Sequence, residues 1–331
     1  EPLENIRIKT EMFLTGYYSH LERGGAPVKM GTLSPDWQAR VLASIRLGLD
    51  EIRRLDVLVA YTNITLLDVL NSCLGGELLG DSKLAARGYR KLVQWMALTD
   101  QNGIPFEYNS PTYTAVSIRA LKRLADMVQH EETRIRARTA LARLGLSACL
   151  HIHRGTGRWA GPHSRAYQPT VVCETAPEIE MVRAWITDGT LPAWMAHALD
   201  DRPETFEVTE TAFAERQSAI TAYHSPSFCL GVSSTEQGSQ SNVWMVHYHR
   251  PKSDRAGVVY SRYLLDDKWL GDFYHATDRT RSRNLIEEGQ FYGVQSGPRA
   301  IGLYTPRRLG SISTAKLALI WTRRDRVDEI W

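Results

Sequence analysis

The sequence predicts an α+β protein in which helices come first and antiparallel strands second. Two observations carry this. Up to about Asp200, apolar residues recur at spacings of three and four between Ser-Pro, Gly and Pro punctuation, the period of helices that bury one face. Beyond Asp200 the texture changes to short β-branched and aromatic runs separated by Ser, Gly, Asn, Asp and Pro, as in an antiparallel all-β layer. A run of helices followed by a run of strands implies two segregated layers or two domains, here residues 1–200 and 201–331.

Ser34-Pro-Asp is a start signal, and Trp37, Val41, Ile45, Leu49, Ile52 and Leu55 form the buried stripe after it. Leu84, Tyr89, Leu92 and Trp95 repeat the pattern over Lys83 to Leu98. Ser110-Pro111 supplies an N-cap and an early proline, opening a helix to about Gln129 with Ile118, Leu121, Leu124 and Val128 inward. The next helix runs from about Glu131 to Ile152 and is closed by Gly155, and shorter ones follow near Pro177–Ile186 and Pro192–Leu199. The strands are expected at Phe206, Ala219, Ser227, Val243 and Gly257 onward, with Ala300–Tyr304 and Leu317–Trp321 continuing the series.

The chain of 331 residues has 43% hydrophobic and 23% charged residues and no low-complexity tract. A formal net charge of +3 excludes a strongly basic nucleic-acid binder by charge alone. No apolar run approaches the roughly 18 residues that span a bilayer, so no membrane partner is expected. The start at Glu1 reads as that of a mature or trimmed product, and the stop at Trp331, inside an expected strand, as that of a domain cut short. Cys73, Cys149, Cys173 and Cys229 are widely spaced with no Cys-x-x-Cys pair, and buried free thiols are expected.

Two polar segments stand out, Glu107-Tyr-Asn-Ser-Pro-Thr-Tyr113 and Gly161-Pro-His-Ser-Arg-Ala-Tyr167. Together they offer an amide, an imidazole, a guanidinium and phenols. Two antiparallel helices of similar length separate the segments. Such a hairpin returns the chain to within about 8–10 Å of its start. Asn109 and His163 are therefore expected to face one solvent-accessible pocket, with Arg165 and Tyr167 beside them.

Helical layer first and antiparallel layer second, with these segments on the helical part, resembles the toroid-plus-sandwich polysaccharide lyases of the heparinase and alginate-lyase type. The resemblance implies an N-terminal α/α toroid built of helical hairpins, followed by an antiparallel β-sandwich. It also implies an Asn, a His and a Tyr facing a cleft, matched here by Asn109, His163 and Tyr167. Those lyases often carry Asn-Asn-His where this chain has Asn109-Ser110-Pro111.

The implied reaction is β-elimination from a uronic-acid-containing glycan, with no cofactor and an acidic polysaccharide or oligosaccharide as partner. A secreted or periplasmic location would follow. Neutralising the sugar carboxylate suits the Asn109 amide and the Arg165 fork. A base then takes the proton, a task for His163, and an acid protonates the leaving oxygen, a task for Tyr167 or Tyr223; a cation beside a phenol favours its ionised form, a second role for Arg165.

Substrate contacts are expected from Glu107, Tyr108, Tyr113, Tyr223, His224 and Gln240. Each has a plainer use. Asn109 before Ser-Pro is placed to satisfy the loop backbone, and Tyr108 and Tyr113 to pack with a polar tip. His247-x-His249 has the spacing of two ligands on one strand face but lacks apparent third and fourth ligands, so no metal is expected. Arg279, Arg281 and Arg283 form a basic run, read as a solvated loop or as a polyanion contact. A glycoside hydrolase using two of Glu107, Asp100 and Glu174, or a non-catalytic carbohydrate-binding protein, are the other classes kept open.

Overall fold

A computed structural model describes residues 34–235, 241–266, 289–306 and 313–322. The helices are α1 (Pro35–Leu55), α2 (Thr62–Leu79), α3 (Ser82–Asn102), α4 (Tyr113–Met127), α5 (Glu131–His151), α6 (Gln168–Val171), α7 (Glu178–Thr187) and α8 (Met195–Asp200). Between α5 and α6 lies a short hairpin of β1 (Ile152–His153) and β2 (Arg158–Trp159). The strands that follow α8 are β3 (Phe206–Phe213), β4 (Ser218–His224), β5 (Phe228–Ser233), β6 (Trp244–Tyr248) and β7 (Gly257–Leu265). They are completed by β8 (Gly289–Ser296), β9 (Arg299–Pro306) and β10 (Ala315–Trp321). The protein is thus mixed α+β, with helices preceding a six-stranded antiparallel sheet of order β10-β7-β6-β5-β4-β3.

The chain divides into two compact units, Glu1–Leu98 with Arg119–Ala140, and Thr99–Ile118 with Leu141–Trp331. The boundaries fall within α3, α4 and α5 in sequence and do not follow the change of texture near Asp200. In the first unit, Ile45, Leu49 and Ile52 of α1 pack with Leu84 of α3, as their helical spacing predicts. The expected cap is present: the Trp37 N–H donates to Ser34 Oγ at 3.4 Å.

The sequence pattern does not predict helix α2. From Thr62 to Gly76 it is buried on nearly every side, so it has no polar face and hence no amphipathic period to read. Gly76 brings it against α3, where a Cβ would lie 2.4 Å from the Ala85 backbone nitrogen. Its buried Asp68 is matched by Arg87 at 2.6 Å and Lys91 at 2.7 Å, and both cations also reach Asp56. A charge at such depth is retained only when paired.

In the second unit β4 and β6 alternate between buried and half-buried residues, while β5 is buried on both faces. Register aligns Ala222 with Gly231 and Met245, and His224 with Cys229 and His247, on one face of the sheet. That face packs against residues 160–173: Ala160 touches Ala222 and Cys229, while Ala166, Val171 and Cys173 join Met245, Val258 and Tyr260. The opposite face, with Leu230 and Val232, is covered by Phe291 and Tyr304 of the β8–β9 hairpin. At Gly231 a Cβ would sit 1.9 Å from the Gly161 carbonyl oxygen, so only glycine admits the loop this close to the sheet.

All four cysteines are buried free thiols. No helix among the described residues is long and apolar enough to cross a membrane. Gln240, the Arg279–Arg283 run and the end at Trp331 lie outside the described residues.

Candidate active site

The two polar segments do meet, and side chains lace them together. Asn109 Nδ2 donates to the carbonyls of Ala160 and Pro162, each at 2.8 Å, and its Oδ1 accepts from the Trp159 indole N–H. Ser110 Oγ donates to the Arg165 carbonyl at 2.6 Å and accepts from the Tyr113 N–H, which starts α4. Ser164 Oγ donates to the Tyr108 carbonyl at 2.5 Å. Asn109 has a φ of 42°, a left-handed conformation that asparagine tolerates better than most residues.

Two expectations are corrected by burial. Asn109 is 6% exposed and His163 1%, so they share an interior, not a solvent-accessible pocket. Every polar group of the Asn109 side chain is spent on the chain itself, which is the plainer use foreseen for it. His163 Nε2 donates to the Trp159 carbonyl at 3.1 Å, and Nδ1 has no partner. Its backbone forms a bridge with Asn242. Burial is the main cause that pushes the His163 imidazolium down to about 3, with the charges of His151 and Arg158 adding to it. Its Nδ1 is closed to solvent.

Four further residues of the same segments form a contact chain, in which Glu107 is buried. Arg165 pairs with Glu107 at 3.5 Å, and its guanidinium lies 4.7 Å from the centre of the Tyr113 ring. The Tyr113 hydroxyl is hydrogen-bonded to the Tyr167 hydroxyl, the rings meeting edge to face at 5.8 Å. Arg165, Tyr113 and Tyr167 are half-buried, and the Arg165 side chain keeps 24% of its surface open. The arrangement offers a cation for a carboxylate and a linked pair of phenols for proton movement.

The other expected contacts fall elsewhere. Tyr108 is a core residue with Ile104, Ala212 and Ile220. Tyr223 and His224 are successive strand residues and point to opposite faces of the sheet. Tyr223 packs near Phe228, while His224 is buried against Phe206. The two candidate metal ligands are separated too: His247 is buried with Nδ1 4.0 Å from the Cys229 sulfur, while His249 is exposed beyond the end of β6. No group of three or more metal-ligating side chains occurs among the described residues. Asp100, one of the hydrolase carboxylates, is held by Arg143.

Sequence reasoning missed Trp159, which serves both Asn109 and His163. It sits on β2, a strand of two residues, too short to show alternation. Beneath it, buried Glu178 accepts from the Trp159 N–H at 3.0 Å and from Arg158 at 2.8 Å. Burial raises the Glu178 carboxyl above the usual range against the opposing pull of Arg158.

Residues 39–195 match a family model described as a domain of unknown function (DUF8769). The matched stretch takes in both polar segments and ends before the six-stranded sheet. No curated protein and no solved structure matches the chain.

Proposed function

We propose that this protein is a polysaccharide lyase that cleaves a uronic-acid-containing glycan by β-elimination at Glu107, Tyr113, Arg165 and Tyr167. On this reading the helical half is an α/α toroid and the strands are a β-sandwich. The observation that carries the proposal is the contact chain Glu107–Arg165–Tyr113–Tyr167 on the outward side of the laced segments.

Arg165 holds the sugar carboxylate, which replaces the long Glu107 contact and takes up the negative charge that builds beside it. The proton leaving the carbon next to that carboxylate enters the Tyr113–Tyr167 pair. A proton from the pair's other end goes to the glycosidic oxygen. The electron pair of the broken C–H bond becomes the new carbon–carbon double bond, and the carbon–oxygen bond breaks. No water and no redox cofactor is consumed. Asn109 and His163 become positioning residues that hold the loops carrying this pair.

Incubation with a panel of acidic glycans tests the reading. Elimination gives a conjugated double bond seen by ultraviolet absorbance. New reducing ends without that absorbance would make the protein a hydrolase, and binding without either product a carbohydrate-binding module.

A further inference from the structure

We propose that a pocket formed by the β1–β2 hairpin, the segment after α8 and the end of β4 binds a compact tetrahedral oxyanion, sulfate or phosphate, free or as an ester. It shares no residue with the Glu107–Tyr167 cluster and does not depend on the elimination chemistry.

The pocket has a volume of about 260 Å³ and is lined by His153, Arg154, Arg202, Glu204, Phe206 and His224, with neighbouring loop residues. That is room for an oxyanion and part of its ester, well beyond the ~30 Å³ share of one water. His224 is 2% exposed, and neither of its ring nitrogens has a hydrogen-bond partner. A buried polar group left unmatched is costly, and folded proteins satisfy such groups by water or an ion. The ring is fixed for that role by Phe206, stacked on it at 4.4 Å and 7°. His153 is not available, because its Nε2 donates to the Ser225 carbonyl and its Nδ1 accepts from Thr156.

The two arginines are held without being neutralised. Arg202 donates through both Nη atoms to the carbonyls of Cys149 and Ile152, and its buried Nε has no partner. Arg154 donates to the carbonyls of Asp200 and Arg202. The Asp200 carboxylate is itself engaged by Arg183 at 2.8 Å, and the pocket's own carboxylate, Glu204, is exposed. Two guanidiniums therefore face one solvated carboxylate. Burial first, and then the charge of Arg154, push Arg202 down to about 10. Burial and the Arg202 charge likewise push the His224 imidazolium down to about 2, leaving a neutral ring with one N–H to give. Fixed cationic forks with a free neutral donor suit a tetrahedral oxyanion.

The test is calorimetric titration of the whole chain with sodium sulfate and sodium phosphate against chloride at matched ionic strength, with a sulfated monosaccharide as a further ligand. Saturable binding is expected, weakened about tenfold or more in His224→Phe, which keeps the stack on Phe206, and in Arg154→Gln. A monosaccharide that binds tighter than sulfate assigns the oxyanion to a glycan ester; one that does not assigns it to the free ion. Wild-type affinity in His224→Phe, or no saturable binding to the wild type, overturns the proposal. Should the variants fail to fold, the His224 ring resonances of the wild type decide. They shift on adding sulfate if the site is real, and stay fixed if water alone fills it.

Discussion

The inner and outer rows of the two laced loops have similar chemistry and opposite work. Asn109 and His163 turn inward, and their hydrogen bonds end on the carbonyls of Trp159, Ala160 and Pro162. Arg165 and Tyr167, two and four residues beyond His163, turn outward and meet Glu107 and Tyr113. An amide or imidazole that would serve a reaction on one side of a loop serves the fold on the other. The side of the loop that a group faces, more than residue type, divides the two roles.

The largest expected effect falls on the inner row. Asn109→Ala should destabilise the protein by roughly 4 kcal/mol, because it leaves an indole N–H and two carbonyls without their partner and puts alanine at a left-handed position. Asn109→Gly should recover about 1 kcal/mol of that by relieving the backbone alone. Chemical denaturation measures both; an Asn109→Ala midpoint equal to wild type would erase the distinction between the rows. On the outer side, Tyr167→Phe is expected to lower turnover of a glycan substrate about 10²-fold or more with an unchanged midpoint. An equal loss of turnover and of stability would place Tyr167 with the inner row.

The pH dependence separates the rows further. His163 has a folded value of about 3 against an ordinary 6.5. Above about pH 6.5 it is neutral in both states, and its contribution to stability is complete. As pH falls from 6.5 towards 3, only the unfolded chain takes up the proton, so stability declines by about 1.4 kcal/mol per pH unit for each such histidine. His224, at about 2, and His247, well below its ordinary value, act in the same direction, all three through burial. His163→Gln should reduce the slope of stability against pH by about one proton, whereas Tyr167→Phe should leave it unchanged. The smallest effect is expected at the lacing hydroxyls: Ser110→Ala and Ser164→Ala should each cost about 1 kcal/mol. Turnover should fall with them as the outer row loses its footing.

What was legible in the sequence follows the same physical line. Helix α1, with its Ser34 cap and one apolar stripe, could be read because one face is wet. Helix α2 could not, since burial on all sides leaves no contrast between faces. The two polar segments could be singled out by their composition, and their side chains do interlace. The inward turn of Asn109 and His163 was not, because a loop has no period from which to infer which side faces water. His224 is legible by its chemistry, but Arg154 and Arg202, which give its pocket a charge, lie in segments that carry no motif.

Gly231 fixes the height at which the Gly161–Tyr167 loop rides over the sheet. A single methyl there would act as a shim: the loop must rise, and with it Ala160 and Pro162, the two carbonyls that Asn109 grips. The outer phenols and guanidinium would then be displaced together, without any of them having been altered. The spacing of this surface is thus gauged from the sheet by a residue that contributes no side chain, so the tolerance of the whole face to sequence drift is set at a position no inspection of its functional groups would single out.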